Sequence, residues 1–336
     1  MPELSIIIPF IQEFPQILFT VRSLHEELRD IDHEIIVVDN LTSNAKLQLE
    51  SKNIKPDLCH EHLDKDGKNA LSCLAIAQRH GGANWLRYLY YGDIFSCWQA
   101  RNYGILNSKS PFIMLIDAHC VPSRDSIVNM FRYYQKNWAK LGGSIHLPLT
   151  YQILEARKLI YSFDYQPDKG LCQYSFCGIP KQYDGTIFEV PCMSSCGMMC
   201  HRDLFNQIGL FPNKGIYSGG EHFLNFVMAI IGKKKWVYNK YGAVLHHHGA
   251  KRQYNFTWDC LQYNRITSNL MFGGEKWVDL YINNLTIDDK SKSRLRSKVM
   301  EDQELLAHRK KIENMQIIDI EDWAQLKLNT PYVLQT

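Results

Sequence analysis

Two short runs near the start of the chain are too uniformly apolar to be surface strands. Leu4-Ser5-Ile6-Ile7-Ile8-Pro9-Phe10 and Glu34-Ile35-Ile36-Val37-Val38-Asp39-Asn40 are rich in β-branched residues, the pattern of strands buried on both faces. Between them, Pro15 to Arg29 carries apolar residues at helical spacing through Ile17, Val21, Leu24 and Leu28, so the segment reads as a βαβ unit ending in an acid. A polar stretch then leads to Lys65-Asp66-Gly67-Lys68-Asn69, a loop feeding a helix from Ala70 to Arg79. Trp85 to Tyr91 predicts a strand closed by Gly92-Asp93, and Ile94 to Leu106 a helix that carries Trp98, Arg101 and Asn102. After the apolar run Phe112 to Ile116, Ser123 is placed to cap a helix through Tyr134, with Asp125 near its positive end. Gly142 to Leu147 follows as a strand. This alternation of strand and helix predicts an α/β fold with a parallel or mixed sheet.

Periodicity weakens from 151 to 190, where Pro167, Gly170, Gly178, Pro180 and Gly185 interrupt short apolar pieces. This part reads as an excursion beside a cleft. Gly209 to Gly220 reads as a Gly- and Pro-containing loop ending at Glu221. Beyond Gly249 the pattern turns helical, from Phe256 to Phe272 and again from Ser291 to Ile312, with Asn283 to Asp289 as the linker. With 336 residues and 45% hydrophobic content, the chain can bury one large core with an appendage. The expected division is a main domain over 1–250 and a helical C-terminal extension over 251–336.

Asp117-Ala118-His119, at the end of the run Phe112-Ile113-Met114-Leu115-Ile116, is the strongest chemical signal. In extended chain an Asp oxygen and a His nitrogen two residues apart point to the same side, as two ligands of one cation must. His246-His247-His248 follows the apolar segment Tyr241 to Leu245, and by the same alternation His246 and His248 share a face. A shell of imidazole and carboxylate suits manganese better than magnesium, which remains the alternative.

These residues, in this order, resemble the glycosyltransferases of family 2 and their relatives, which share the GT-A nucleotide-sugar-binding fold. The resemblance rests on SIIIPF (5–10), the strand-end Asp39, ARNYG (100–104), FIMLIDAH (112–119), SSCGMMCHRDLFNQIGLF (194–211) and GGEH (219–222), and covers about residues 4 to 250. The polypeptide N-acetylgalactosaminyltransferases are similar in two respects, an Asp-x-His in place of Asp-x-Asp and a later Gly-Gly-Glu. The resemblance implies a GT-A, Rossmann-like fold with a mixed central sheet. It also implies a metal-dependent transfer of sugar from a nucleoside diphosphate sugar, in the first instance a UDP-sugar, to an acceptor hydroxyl.

Carried onto this sequence, the resemblance makes Asp117, His119 and His246 the metal ligands, with His248 in reserve for His246. It places Pro9, Phe10, Glu13 and Asp39 near base and ribose, where open α/β sheets bind ligands at the carboxyl ends of their strands. Arg101 and Asn102 would approach the base and the diphosphate, and a guanidinium can neutralise phosphate with directional donors. Gly197 would let the backbone pass close under the sugar, because no Cβ intrudes. Glu221 would bind sugar hydroxyls or act as base toward the acceptor, and His222 stands where relatives carry Asp or Asn, so retention or inversion stays open.

Charge and cysteine usage change the picture less. The net charge of +3 is mild, but Lys290 to Lys311 holds eight Lys or Arg against Glu301, Asp302 and Glu304. Lys233-Lys234-Lys235 and Lys251-Arg252 add smaller clusters. Such runs are solvated helix faces or, alternatively, a surface for a polyanion such as DNA carrying hydroxymethylated bases. A sugar- or nucleotide-binding module without catalysis is the other alternative. The ten Cys have irregular spacing, and Cys73 and Cys120 sit in apolar surroundings, so reduced, buried thiols are expected. Cys192, Cys196 and Cys200 followed by His201 leave a structural zinc site as the lesser reading. The N-terminus opens directly into a strand, and no window reaches about 18 uninterrupted apolar residues. A cytoplasmic protein without a membrane span is therefore expected.

Overall fold

The structure is a computed structural model that describes residues 1–11, 13, 16–41, 84–151, 157–247 and 257–335. The expected helix Ala70 to Arg79, its preceding loop, Cys73, His248 and Lys251-Arg252 lie outside the described residues. The elements in chain order are β1 (Leu4–Phe10), α1 (Gln16–Glu27), β2 (His33–Asp39), β3 (Leu86–Tyr90), α2 (Cys97–Asn107), β4 (Phe112–Leu115), β5 (Cys120–Pro122) and α3 (Ser126–Leu141). Next come β6 (Gly143–His146), β7 (Leu149–Thr150), β8 (Leu159–Gln166), β9 (Leu171–Gly178), β10 (Ile187–Glu189), β11 (Met198–His201), α4 (Asp203–Ile208) and α5 (Gly220–Ile230). The remainder is β12 (Lys234–Tyr238), β13 (Val244–His246), α6 (Trp258–Asn283, kinked at Gly274), α7 (Asp289–Met300), α8 (Gln303–Glu313), α9 (Ile320–Asn329) and β14 (Val333–Leu334).

Among the described residues the strands form two sheets. The larger has nine, in the order β14-β10-β12-β6-β11-β4-β1-β2-β3. Its β4-β1-β2-β3 portion is parallel, and β11 runs antiparallel to both β4 and β6, so the sheet is mixed. Every residue of β1 and β2 is buried, as their unbroken apolar runs require. The smaller sheet, β5-β13-β7-β8-β9, has five strands. The weakly periodic stretch thus holds a long hairpin, with Leu159 paired to Gly178 and Gln166 to Leu171. Interrupting Pro and Gly residues cluster at its turns, which is why its period was hard to read.

Three local expectations change. Helix α3 begins at Ser126, and Ser123 does not cap it. The Ser123 hydroxyl is turned to Ala243, donating to its carbonyl at 2.9 Å and accepting from its N–H at 3.0 Å. The carboxylate of Glu27 takes the cap role from α1, accepting the N–H groups of Asp125 at 2.6 Å and Ile127 at 3.2 Å. The helix expected over Ser291 to Ile312 is broken at Glu301-Asp302, where the Asp302 carboxylate accepts from the N–H groups of Glu304 and Leu305 and starts α8.

Much of the charge on the basic segment is matched by acids on neighbouring helices. Arg294 pairs with Asp259 at 2.6 Å, Arg296 with Asp279 at 2.7 Å and with Glu275, and Arg309 and Lys310 with Glu313. The segment is a set of packed helices, and β14 returns from it to pair with β10 at the edge of the larger sheet. No described helix is long and apolar enough to cross a membrane.

His146, fully buried at the end of β6, is held neutral: burial pushes its imidazole down to about 3. An unfolded chain protonates the same ring near its ordinary value of about 6.5. The unfolded state therefore takes up the proton first as pH falls, and stability is lost from about 6.5 downward. Between pH 7 and pH 5 the melting temperature of a His146→Gln variant should fall less steeply than that of the wild type. Parallel slopes would show that protonation of His146 is not linked to unfolding.

Candidate functional site

The carboxyl ends of β1, β2 and β4 lie side by side, with Phe10 paired to Asp39 and Ile7 to Leu115. Strand β4 stops at Leu115, and the chain turns through Ala118-His119 before β5 begins at Cys120. Asp117 and His119 therefore converge through a turn and not through the extended-chain alternation expected above. Thr20 of α1 pins this turn, donating to the Ala118 carbonyl at 2.9 Å while accepting the Cys120 N–H at 3.0 Å. Strand β13 is tied to it by the His247 N–H, 3.0 Å from the His119 carbonyl.

That pairing delivers His246 to the cluster. Its Nε2 lies 3.2 Å from Asp117 Oδ2 and 3.1 Å from His119 Nε2, and one ligand atom from each of the three residues falls within 4.8 Å of the others. Two donors bound to a cation at about 2.1 Å and at right angles stand about 3 Å apart, so the residues fit a divalent ion of the manganese or magnesium size. Asp117 Oδ1 accepts from Arg101 Nη2 at 2.5 Å, leaving Oδ2 on the cluster side. Arg101 is buried, with its guanidinium 4.6 Å from the centre of the Trp98 ring. Burial alone would raise the Asp117 carboxyl, but Arg101, then His246, overcome it and hold the group well below the usual carboxylate range. For His246 burial acts downward, and the neighbouring Cys196 sulfur and Asp117 carboxylate reverse it, pushing the imidazole up to about 9.

The residues expected around a base and ribose occupy the same end of the sheet, but several are already engaged. Pro9 and Phe10 are buried in β1. Glu13 accepts the Ile11 N–H at 2.9 Å, and Asp39, fully buried, accepts the Leu41 N–H at 2.8 Å and the Tyr88 hydroxyl. Asn102 is used by the fold: its amide accepts the Phe211 N–H at 2.9 Å and donates to the Phe211 carbonyl at 2.9 Å. It holds the loop before α5 in place, whereas Arg101, one residue earlier, faces the cluster. One helix presents these two neighbours to different surroundings.

Gly219 and Gly220 serve close packing. A Cβ on Gly219 would lie 2.5 Å from the Asn264 carbonyl oxygen, and one on Gly220 would lie 2.2 Å from the Trp98 ring. The tight fit brings α5 against α2 and α6, with the Trp98 indole N–H donating to the Ser218 carbonyl at 2.8 Å. Glu221 then accepts from the Ser195 N–H at 2.7 Å, the Ser195 hydroxyl at 2.9 Å and the Tyr174 hydroxyl at 2.6 Å. Gly197 has φ of 83° and donates its N–H to the Leu115 carbonyl at 2.8 Å, joining the Glu221 side to the end of β4. His222 takes another direction. It is 7% exposed, and burial together with Arg265 pushes it down to about 3. Its ring lines a small hollow with Gln173, Arg265, Asn269 and Tyr281, which corrects its placement as a partner of Glu221.

Sequence reading passed over Tyr174, Ser195 and Tyr151. Tyr151 sets its ring edge-on to His246 at 5.4 Å, and Tyr161 stacks on Tyr174 at 4.5 Å. Two of these rings come from the hairpin that lacks clear periodicity, so no local signal marked them. Nor did Cys192, Cys196, Cys200 and His201 gather as one cluster: Cys196 faces Cys120 instead, at 3.0 Å between sulfurs.

No family model matches the sequence, and no curated protein matches it. Solved structures do resemble the fold. The crystal structure of GalNAc-T7 with UDP, GalNAc and Mn2+ aligns with a TM-score of 0.66 at 13% identity, covering 98% of this chain and 58% of that one. S. aureus TarS 1–349 in complex with UDP-GlcNAc aligns at 11% identity over 89% of this chain and 71% of that one, and at a TM-score of 0.48 carries no argument. The chain thus has the GT-A glycosyltransferase fold, with a mixed α/β architecture, and spans about 58% of the length of the GalNAc-T7 chain.

Two outcomes are expected. Manganese binding should strengthen as pH rises toward about 9, because the proton on His246 must leave before the ring can accept a cation; below that value affinity should fall by about tenfold per pH unit. Calorimetric titration at several pH values measures this slope, and a slope unchanged in His246→Ala would refute the assignment. Gly220→Ala should lower stability by about 1–3 kcal/mol in denaturant melts through its collision with Trp98.

Proposed function

We propose that the chain is a metal-dependent glycosyltransferase that moves a sugar from a nucleoside diphosphate sugar, in the first instance a UDP-sugar, to an acceptor hydroxyl. The observation that carries this reading is the convergence of Asp117, His119 and His246 at the carboxyl end of the parallel strands, with Glu221 held on the adjoining Ser195–Gly197 loop. Manganese is the proposed ion, with magnesium as the alternative. A divalent ion held by these three side chains would screen charge on a departing diphosphate.

The chain's own residues supply the rest. Arg101 keeps the Asp117 carboxylate ionised and oriented, and brings a buried positive charge beside the place a diphosphate would occupy. Pro9, Phe10, Glu13 and Asp39 shape the strand-end crevice proposed for the nucleoside, and Gly197 the passage beneath the sugar. Glu221, fixed by Ser195 and Tyr174, is an acceptor-only group suited to sugar hydroxyls, and its pre-orientation avoids reorganisation when substrate arrives. A DNA acceptor gains no support from the C-terminal helices, whose arginines are paired with acids.

Release of UDP from a panel of UDP-sugars, with and without manganese, tests the proposal. Turnover should require the ion and fall by at least about 100-fold in Asp117→Asn. In Glu221→Gln the rate should drop while manganese affinity stays unchanged. Donor binding with no turnover against any neutral sugar, peptide or modified-DNA acceptor would favour a binding module instead. Undiminished activity of Asp117→Asn would sink the assignment outright.

A further inference from the structure

A second donor set lies behind the first. Cys120 opens β5 and stands opposite His246 in the antiparallel register, while Cys196 comes from the loop ahead of β11. Their sulfurs are 3.0 Å apart, and both sulfurs and an imidazole nitrogen of His246 fall within 4.8 Å of one another. All three residues are buried, and neither thiol is in a disulfide. Backbone contacts hold both cysteines: the Cys120 N–H donates to Thr20 Oγ1 at 3.0 Å, and the Cys196 N–H to Ser194 Oγ at 3.0 Å.

We propose that Cys120, Cys196 and His246 form a binding site for a thiophilic divalent cation of the zinc and cadmium class, separate in chemistry from the oxygen- and nitrogen-rich set of Asp117 and His119. Thiolate and imidazole ligands select such ions over manganese and magnesium. Binding releases the two thiol protons to solvent as two metal–sulfur bonds form, and the product of one dication, two thiolates and a neutral imidazole carries no net charge. Neutrality suits a buried position, where an uncompensated charge is costly. Two thiolates on a tetrahedral ion at about 2.3 Å lie about 3.8 Å apart, so occupancy opens the sulfur pair by roughly 0.8 Å and leaves a fourth position for water. Because His246 belongs to both sets, a soft ion draws on the imidazole that the hard ion needs. That consequence rests on the proposed metal-dependent activity; the site itself does not.

Cadmium titration of the full chain, stripped with a chelator and kept reduced by a phosphine, tests the site without any sugar or nucleotide. The ultraviolet thiolate-to-cadmium absorption should saturate at one equivalent. It should be lost in Cys120→Ser and in Cys196→Ser, weaken by at least about tenfold in His246→Ala, and persist in Asp117→Asn. Circular dichroism of the serine variants checks that they fold, and a double Cys120→Ser, Cys196→Ser variant that keeps the band overturns the proposal, since another thiol would then be the ligand. A wild type without the band, or one whose two cysteines prove to be cross-linked under reducing preparation, overturns it equally.

Discussion

The buried carboxylate of Asp117 is the constraint around which the site is organised. A carboxylate removed from water is stable only when its charge is compensated, and here one oxygen is held by Arg101 at 2.5 Å and the other faces His246 at 3.2 Å. The compensation links distant parts of the chain: α2 supplies the guanidinium, the end of β4 the acid, and β13 the imidazole. Arg101 is itself backed by Trp98, and Trp98 is covered by Gly220 at the start of α5. Removing Arg101 would leave an acid exposed to repulsion from any diphosphate brought beside it.

The two sheets divide the work. The larger presents strand ends in parallel, which gathers Phe10, Asp39 and Asp117 along one rim. The smaller brings β13 against β5, so that His246 and Cys120 become neighbours although 126 positions separate them in the chain. The hairpin of β8 and β9 continues that smaller sheet and carries Tyr174 to the carboxylate of Glu221. Neither sheet by itself assembles the full cluster.

The C-terminal helices act on this arrangement from behind. Asn264 of α6 accepts the Gly215 N–H at 2.8 Å and donates to the carbonyls of Gly215 and Tyr217, which fixes the loop before α5. Asn102 clamps the same loop from α2. The loop therefore has a set path despite its Gly and Pro content, and Glu221 enters α5 in one orientation.

The early strands, the α/β alternation and the Asp-x-His signal were legible because each depends on residues close in sequence: apolar runs mark burial, and a strand-end acid marks a rim. Gly219-Gly220-Glu221 was likewise visible, although the two glycines turned out to answer a steric demand from Trp98 and Asn264. The division of Arg101 from Asn102, the removal of His222 into its own hollow, the capping of α3 by Glu27, and the approach of Cys196 to Cys120 were not legible. Each depends on which surface a neighbouring element offers, and that is set by packing and strand register between segments far apart in the chain. The sequence by itself determined where strands end and which side chains there can bind a cation; only the tertiary structure decided which of them meet, because convergence at a few ångströms is a property of the pairing between elements and not of spacing within one.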